Sequence, residues 1–322
     1  MTRVDVLPAR EVPLGGLRAM NVMRALPQRG LPTVGAWCFL DRFGPQRVDM
    51  RVDPHPHTGL QTVTWPLKGE VHHRDSMGSD VVLRAGDLNL MTSGAGIAHL
   101  EYSLPGADGE APELDAVQFW IALPAGARDG ERDFAQYTDL PRVALAAQVG
   151  PDADVGPDAD AVVVMGTLAG VTSPARTFTP LVGAQVTLGP GSRVRVPLEA
   201  DWEHAVVLLE GDVAVGGPEG VRPARNDLAY LGAGLDSVEL ASEAGALVFL
   251  LGGEPLDEEL VMWWNFVGRS HEDIVGAWHE WQVGSERFGE VAGHGDVRIP
   301  APPLPSVRLK PRGAPMRRDA RR

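Results

Sequence analysis

Two short triplets, His55-Pro56-His57 and His99-Leu100-Glu101, have residue types and spacing that could hold a metal ion. Residues i and i+2 of a β-strand project from the same face, so each triplet presents two ligand groups toward one point. Forty-two positions separate His57 from His99, enough for two or three strands to bring the triplets together. Three imidazoles and one carboxylate then converge inside a barrel. This donor set contains no thiolate and suits Fe, Mn, Co, Ni, Cu or Zn rather than Ca or Mg, which prefer oxygen shells. Four protein ligands leave two positions of an octahedral shell open, and a divalent ion keeps one net positive charge. Such a site favours an anionic guest such as a deprotonated phenol or enol. A lone histidine in an apolar strand is ordinarily a satisfied core residue, but two separated alternate pairs seldom arise from packing alone.

Other polar residues lie close by in the sequence. His72 and His73 follow a glycine turn, and alternation sends one of them inward; His73 or Asp75 could orient a ligand or relay a proton, against a plain structural role. Asp41 and Arg42 read as a structural ion pair at the barrel mouth. The single cysteine, Cys38, forbids an intramolecular disulfide framework and a multi-thiolate cage. Its neighbours Trp37 and Phe39 make it a small buried hydrophobe rather than a redox handle.

The elements that must position these residues are strands. With 38 Gly and 27 Pro in 322 residues, a helical bundle is disfavoured, while 44% apolar residues supply a core. Thr62 to Leu67 running into Lys68-Gly69-Glu70-Val71 is echoed by Ala205 to Leu209 running into Glu210-Gly211-Asp212-Val213, a period of about 142 residues that fits a duplicated domain. Many short β-branched segments predict an all-β sandwich or barrel in each half. The division expected is a metal-binding barrel over 1–140, a linker over 141–161 rich in Asp, Pro and Gly, a second barrel over 162–255, and a helix with its packing segment over 256–305. That helix starts at a capping box of Ser270 and Asp273 and stops at Gly284, with Trp278 and Trp281 as core packing. The net charge of −14 argues against nucleic acid as a direct partner, although residues 306–322 form a basic tail expected to be flexible. No apolar run reaches signal-peptide or membrane-spanning length, so a cytoplasmic location without membrane contact is expected.

Beyond the triplets, the run from His55-Pro56-His57-Thr58-Gly59 through His73-Arg74-Asp75-Ser76-Met77-Gly78 to Met91-Thr92-Ser93-Gly94-Ala95-Gly96-Ile97-Ala98-His99-Leu100-Glu101 resembles the pirin family of bicupins. Leu40-Asp41-Arg42-Phe43-Gly44-Pro45 and Phe119-Trp120-Ile121-Ala122-Leu123-Pro124 are similar to it as well, so the likeness is dense over residues 10–140 and weaker beyond. It implies two cupin-type β-barrels, iron as Fe(II) in the first, and His55, His57, His99 and Glu101 as ligands. It also implies one of two activities: quercetinase-type cleavage of a flavonol by O2, or non-enzymatic, redox-dependent regulation of a protein partner. An isomerase-type cupin using Zn is a third class. Cupins commonly carry a Glu ligand where this chain has Gln61, which makes Glu101 the one anionic ligand and Gln61 a neighbour of the site. In the second half Asp201-Trp202-Glu203-His204 offers no equivalent cluster, so that barrel is expected to be metal-free. A small planar phenol is the substrate class implied, and Glu101 the candidate base.

Overall fold

The computed structural model describes residues 4–14, 20–106, 109–145 and 159–311. The expected linker falls largely outside these residues, and so does most of the basic tail. Two strand-built barrels, joined by one face of each, hold most of the described residues.

The first barrel has two sheets. The larger runs in the order Asp133–Tyr137, Leu88–Thr92, Leu60–Lys68, Glu113–Ala122, Trp37–Arg47, Met20–Leu26 and Arg10–Leu14; the smaller runs Arg51–His57, Ile97–Ser103, Glu70–Asp75 and Asp80–Arg84. In the second barrel a larger sheet is centred on Glu203–Gly211, flanked by Leu228–Gly232 and Ala246–Gly253, and faces a three-stranded sheet. Leu60–Lys68 and Glu203–Gly211 are thus equivalent strands. Gly69 and Gly211 close them at φ +85° and +76°, where an added Cβ would lie 2.5 and 1.9 Å from a carbonyl oxygen, which is why the turn glycine recurs with the repeat.

Period-two alternation splits the larger sheet of the first barrel into two functional faces. Gln61, Val63, Trp65, Val117 and Phe119 turn toward the second barrel, where Val63, Trp65, Val117 and Phe119 join Val207, Phe249 and Leu251 in one apolar core. Trp37 donates from Nε1 to Gly252 O at 3.1 Å, and Trp65 donates to Gln185 Oε1 at 2.8 Å. Glu203 accepts from the Gly35 backbone and from the Tyr230 hydroxyl, both at 2.9 Å.

The expected Asp41–Arg42 pair does not form, because neighbouring strand residues point to opposite faces. Asp41 faces inward and takes two hydrogen bonds from Arg24, at 2.7 and 2.6 Å. Arg42 turns to the other barrel, binds Asp115 through two hydrogen bonds at 2.8 and 2.6 Å, and reaches Leu209 O and Asn226.

Chain order does not match barrel membership at either end. Asp5–Leu7 pairs with Leu228–Gly232, and Arg142–Leu145, inside the expected linker, pairs with Ala159–Leu168. The chain after the second barrel returns to the first. Helix His271–Val283, capped by the Ser270/Asp273 box and ended by Gly284 at φ +69°, buries Ile274, Ala277 and Trp281. These pack on Ala98 and Leu100, the outer side of the His99 strand. Trp281 and Trp278 donate to the carbonyls of Ile299 and Pro302, so both serve packing as expected. Arg308, from the basic segment, docks on Glu272 at 2.5 Å. No helix among the described residues is long and apolar enough to cross a membrane.

His204 faces the interior of the second barrel, beside Gly252, where an added Cβ would come within 2.3 Å of its ring. Burial pushes its pKa down to about 4 from 6.5.

The buried ion pair and the buried imidazole make separable contributions to stability. Truncating Arg42 or Asp115 to Ala strands a buried charge and should cost about 3–5 kcal/mol in urea unfolding; a cost under about 1 kcal/mol would show that the pair is dispensable. For His204, the unfolded state takes the proton first, so its contribution to stability is lost as pH falls from 6.5 toward 4. His204→Phe should therefore show a shallower fall of stability across that window, and an unchanged slope would contradict the assignment.

Candidate metal centre

Three adjacent strands of the smaller sheet each carry an i, i+2 pair on the same face. His55 stands opposite His99, and His99 opposite Asp75, while Glu101 stands opposite His73. The pairing converts two triplets far apart in sequence, and the His73/Asp75 pair, into one polar patch. All six side chains are buried. A register shift of the ladder between His99 and Glu101 marks a bulge at the site.

The imidazoles of His55, His57 and His99 can each offer a nitrogen such that all three lie within 4.8 Å of one another. Their ring centroids are 4.3 to 5.1 Å apart. Glu101 joins an overlapping group with His99 and His73 under the same limit, so His99 links the two. These are the groups of metal-ligand type found among the described residues, and both belong to the first barrel.

Hydrogen bonds fix which nitrogens are free. His55 Nδ1 donates to the Asp53 carbonyl at 2.9 Å, leaving the Nε2 lone pair inward. His73 Nε2 lies 3.3 Å from the Asp75 carboxylate, which can only accept, so His73 Nδ1 accepts a hydrogen bond from His99 Nδ1 at 3.4 Å. His99 then presents Nε2, a buried atom with no partner, and His57 Nδ1 is likewise buried and unpartnered. The backbone of Asn265 is a hydrogen-bond partner of the His57 ring. Orphaned lone pairs of this kind are costly unless something accepts them, and a metal ion of the first transition row fits the donors present. Burial holds the pKa of His55 down and those of His57 and His99 well down, with neighbouring imidazoles adding to the effect on the latter two, so the rings are neutral, as ligation requires.

Glu101 accepts from Thr64 Oγ1 at 3.2 Å and from Gln118 Nε2 at 3.2 and 3.1 Å. Gln118 is a site residue that the sequence reading misses; its signal is that it shares a strand face with Trp120, two positions on. Asp75 also accepts from the backbones of Met77 and Ser79, at 2.8 and 3.0 Å, and His73 stacks on Phe134 with centroids 4.5 Å apart. Burial raises the Asp75 pKa, but the bonds from His73 and Ser79 outweigh it and hold the carboxyl low.

Gln61, expected beside the ligands, lies on the other face of its sheet. Its amide donates to Thr92 Oγ1 at 3.0 Å and to the Arg176 carbonyl of the second barrel at 3.2 Å. The odd positions of that strand serve the barrel interface, and the even ones, such as Thr64, serve the site. His72 points outward to Asp80. Cys38 is buried, as expected.

The centre opens into a cavity of about 650 Å³, lined by His55, His57, Glu101 and Gln118 and walled by Phe39, Trp120 and the 262–265 hairpin tip. Phe39 and Trp120 stack at 4.0 Å, and Arg24, paired with Asp41, lies 4.4 Å over the Phe39 ring. Burial pushes the Asp41 carboxyl up despite Arg24.

Removing the partners that orient His99 should loosen any bound metal without emptying the site. His73→Ala and Asp75→Asn are expected to weaken metal affinity about 10–100-fold in competition with a chelator, against near-complete loss for His99→Ala. Affinity equal to wild type in both would refute the orienting role.

Comparison with known proteins identifies the family. The Pirin family model matches residues 19–121, and the model of the pirin C-terminal cupin domain matches residues 183–289. A Pseudomonas aeruginosa protein, provisionally named a quercetin 2,3-dioxygenase, is 41% identical over 92% of this chain and 89% of its own length. A pirin-like protein of Caulobacter vibrioides is 32% identical over 92% of this chain and 98% of its own. Among solved structures, a quercetin 2,3-dioxygenase from Acinetobacter baumannii superposes with a TM-score of 0.85 at 34% identity, covering 96% of this chain and 98% of that one. Two cupin barrels, a buried histidine-carboxylate cluster in the first of them and matches across both halves place this chain in the pirin family.

Proposed function

We propose that the protein is an O2-dependent dioxygenase acting on a flavonol-type substrate, with His55, His57, His99 and Glu101 as the ligands of a divalent metal. Fe(II) is the ion favoured by the need for O2 chemistry, and Mn, Ni, Co, Cu and Zn also suit the donors. The observation that carries the reading is the convergence of three buried, neutral imidazoles, of which His55 and His57 line an aromatic-walled cavity of about 650 Å³. That volume and lining suit a planar molecule of drug-like size. Likeness to the Pseudomonas aeruginosa protein, provisionally named for this activity, and to the Acinetobacter baumannii quercetin 2,3-dioxygenase supports the same substrate class.

When bound, the metal supplies Lewis acidity toward an enol or phenol oxygen and a contact for O2. The chain does the rest. His55, through Asp53, and His99, through His73 and Asp75, hold their lone pairs in fixed directions. Glu101, oriented by Gln118 and Thr64, is the group that takes the hydroxyl proton at a carboxylate oxygen. Phe39 and Trp120 exclude water and present an apolar surface to the substrate rings.

Oxygen uptake by Fe(II)-loaded protein mixed with quercetin tests the proposal. Saturable uptake, lost in His99→Ala and reduced at least tenfold in Glu101→Gln, is the expected result. Absence of uptake in the wild type with full metal occupancy would overturn it, and a protein partner bound in one metal oxidation state alone would then favour the regulatory reading.

A further inference from the structure

Trp264 is the one bulky residue among the described non-glycine positions with positive φ, at +52°. It occupies the turn between strands Val261–Trp263 and Phe266–Gly268, whose ends pair Trp263 with Phe266, so Trp264 and Asn265 are the two turn residues. Turns of this kind take Gly, Asn or Asp at such a φ, because a side chain crowds the backbone there. A tryptophan that persists in this conformation is held by its surroundings and marks a place where strain serves a purpose.

Those surroundings are the candidate centre. Phe266 bridges to Thr58, the residue after His57, and Val267 N donates to Thr58 O at 3.1 Å. Gly59 is required beneath the hairpin, since a Cβ there would sit 2.2 Å from Val267 O. Asn265 meets the His57 ring through its backbone. Trp264 is half-buried, meets Phe266 edge-on at 5.4 Å, and lines the same cavity as His55, His57 and Glu101. The turn therefore fixes an indole and a ligand histidine relative to each other.

We propose that Trp264 is a specificity-determining residue whose indole is the stacking surface for a planar aromatic substrate, and that the strained turn is kept because it sets this surface at a fixed distance from His57. This rests on the reading of the cavity as a planar-phenol site. A turn residue with relaxed geometry, such as Gly, would keep Asn265 on His57 and lose the stacking face.

Binding measured under anaerobic conditions on the metal-loaded protein separates this from catalysis. The probes are quercetin and flavone, which lacks the chelating hydroxyl. Dissociation constants from calorimetry should rise about tenfold or more in Trp264→Gly and Trp264→Ala and change less than threefold in Trp264→Phe, for both probes. Metal content should be unchanged in all three, and Trp264→Gly should melt above Trp264→Ala because glycine relieves the turn. Equal binding by wild type and Trp264→Gly would overturn the proposal, as would failure of the wild type to bind either probe. Weakened binding in the variants together with no oxygen uptake by the wild type would leave the stacking role standing and remove the dioxygenase reading.

Discussion

The cost of burying unpaired lone pairs shapes the whole interior of the first barrel. Each hydrogen-bonding group withdrawn from water without a partner costs about 1–3 kcal/mol. His99 Nε2 and His57 Nδ1 are in that position, in a sheet that could have been filled with valine and leucine as the second barrel is. The surrounding groups are arranged to keep those atoms bare rather than to satisfy them. Asp53 occupies one side of His55, His73 and Asp75 occupy one side of His99, and Gln118 and Thr64 pin Glu101. A scaffold that places its hydrogen bonds on the far sides of its histidines leaves the near sides for an electrophile.

The second barrel supplies the rigid backing. Its strands repeat the layout of the first, yet its interior is apolar except at positions such as His204 and Ser192. The two are fused through an apolar interface that includes Trp37, Phe119 and Phe249, and through Arg42, which Asp115 holds from its own barrel while it reaches Leu209 O and Asn226 of the second. The strand that carries Thr64 on its site face carries Val63 and Trp65 on its interface face, so packing against the second barrel and the position of Glu101 are set by one element.

Much of this is legible in the residues themselves. The His-x-His and His-x-Glu triplets announce same-face pairs of candidate ligands because strand alternation is local, and the Ser270, Asp273 and Gly284 signals locate the helix because capping is local as well. Inferences that turn on which face of a strand a residue takes, or on what covers that face, are the ones that fail. The likeness to cupins puts Gln61 beside the candidate ligands, but its face is decided by which side the second barrel covers. Asp41 and Arg42 are adjacent in sequence and therefore opposed in space. Gln118 and Trp264 reach the cavity from strands and turns far from the triplets, and only the pairing of sheets brings them there.

The interchange of chain ends gives the molecule a property that neither half has alone. The first strand lies in the second barrel, and the segment from Val261 to Leu309 closes over the first, tied down by Tyr102 to His294 at 3.2 Å and by Ile299 N to Pro54 O at 2.8 Å. Each barrel is completed by sequence belonging to the far end, like two boxes that share lids. The two halves thus cannot be parted by cutting the chain in the middle: a fragment ending near residue 145 would keep every candidate ligand and lose the segment that covers them.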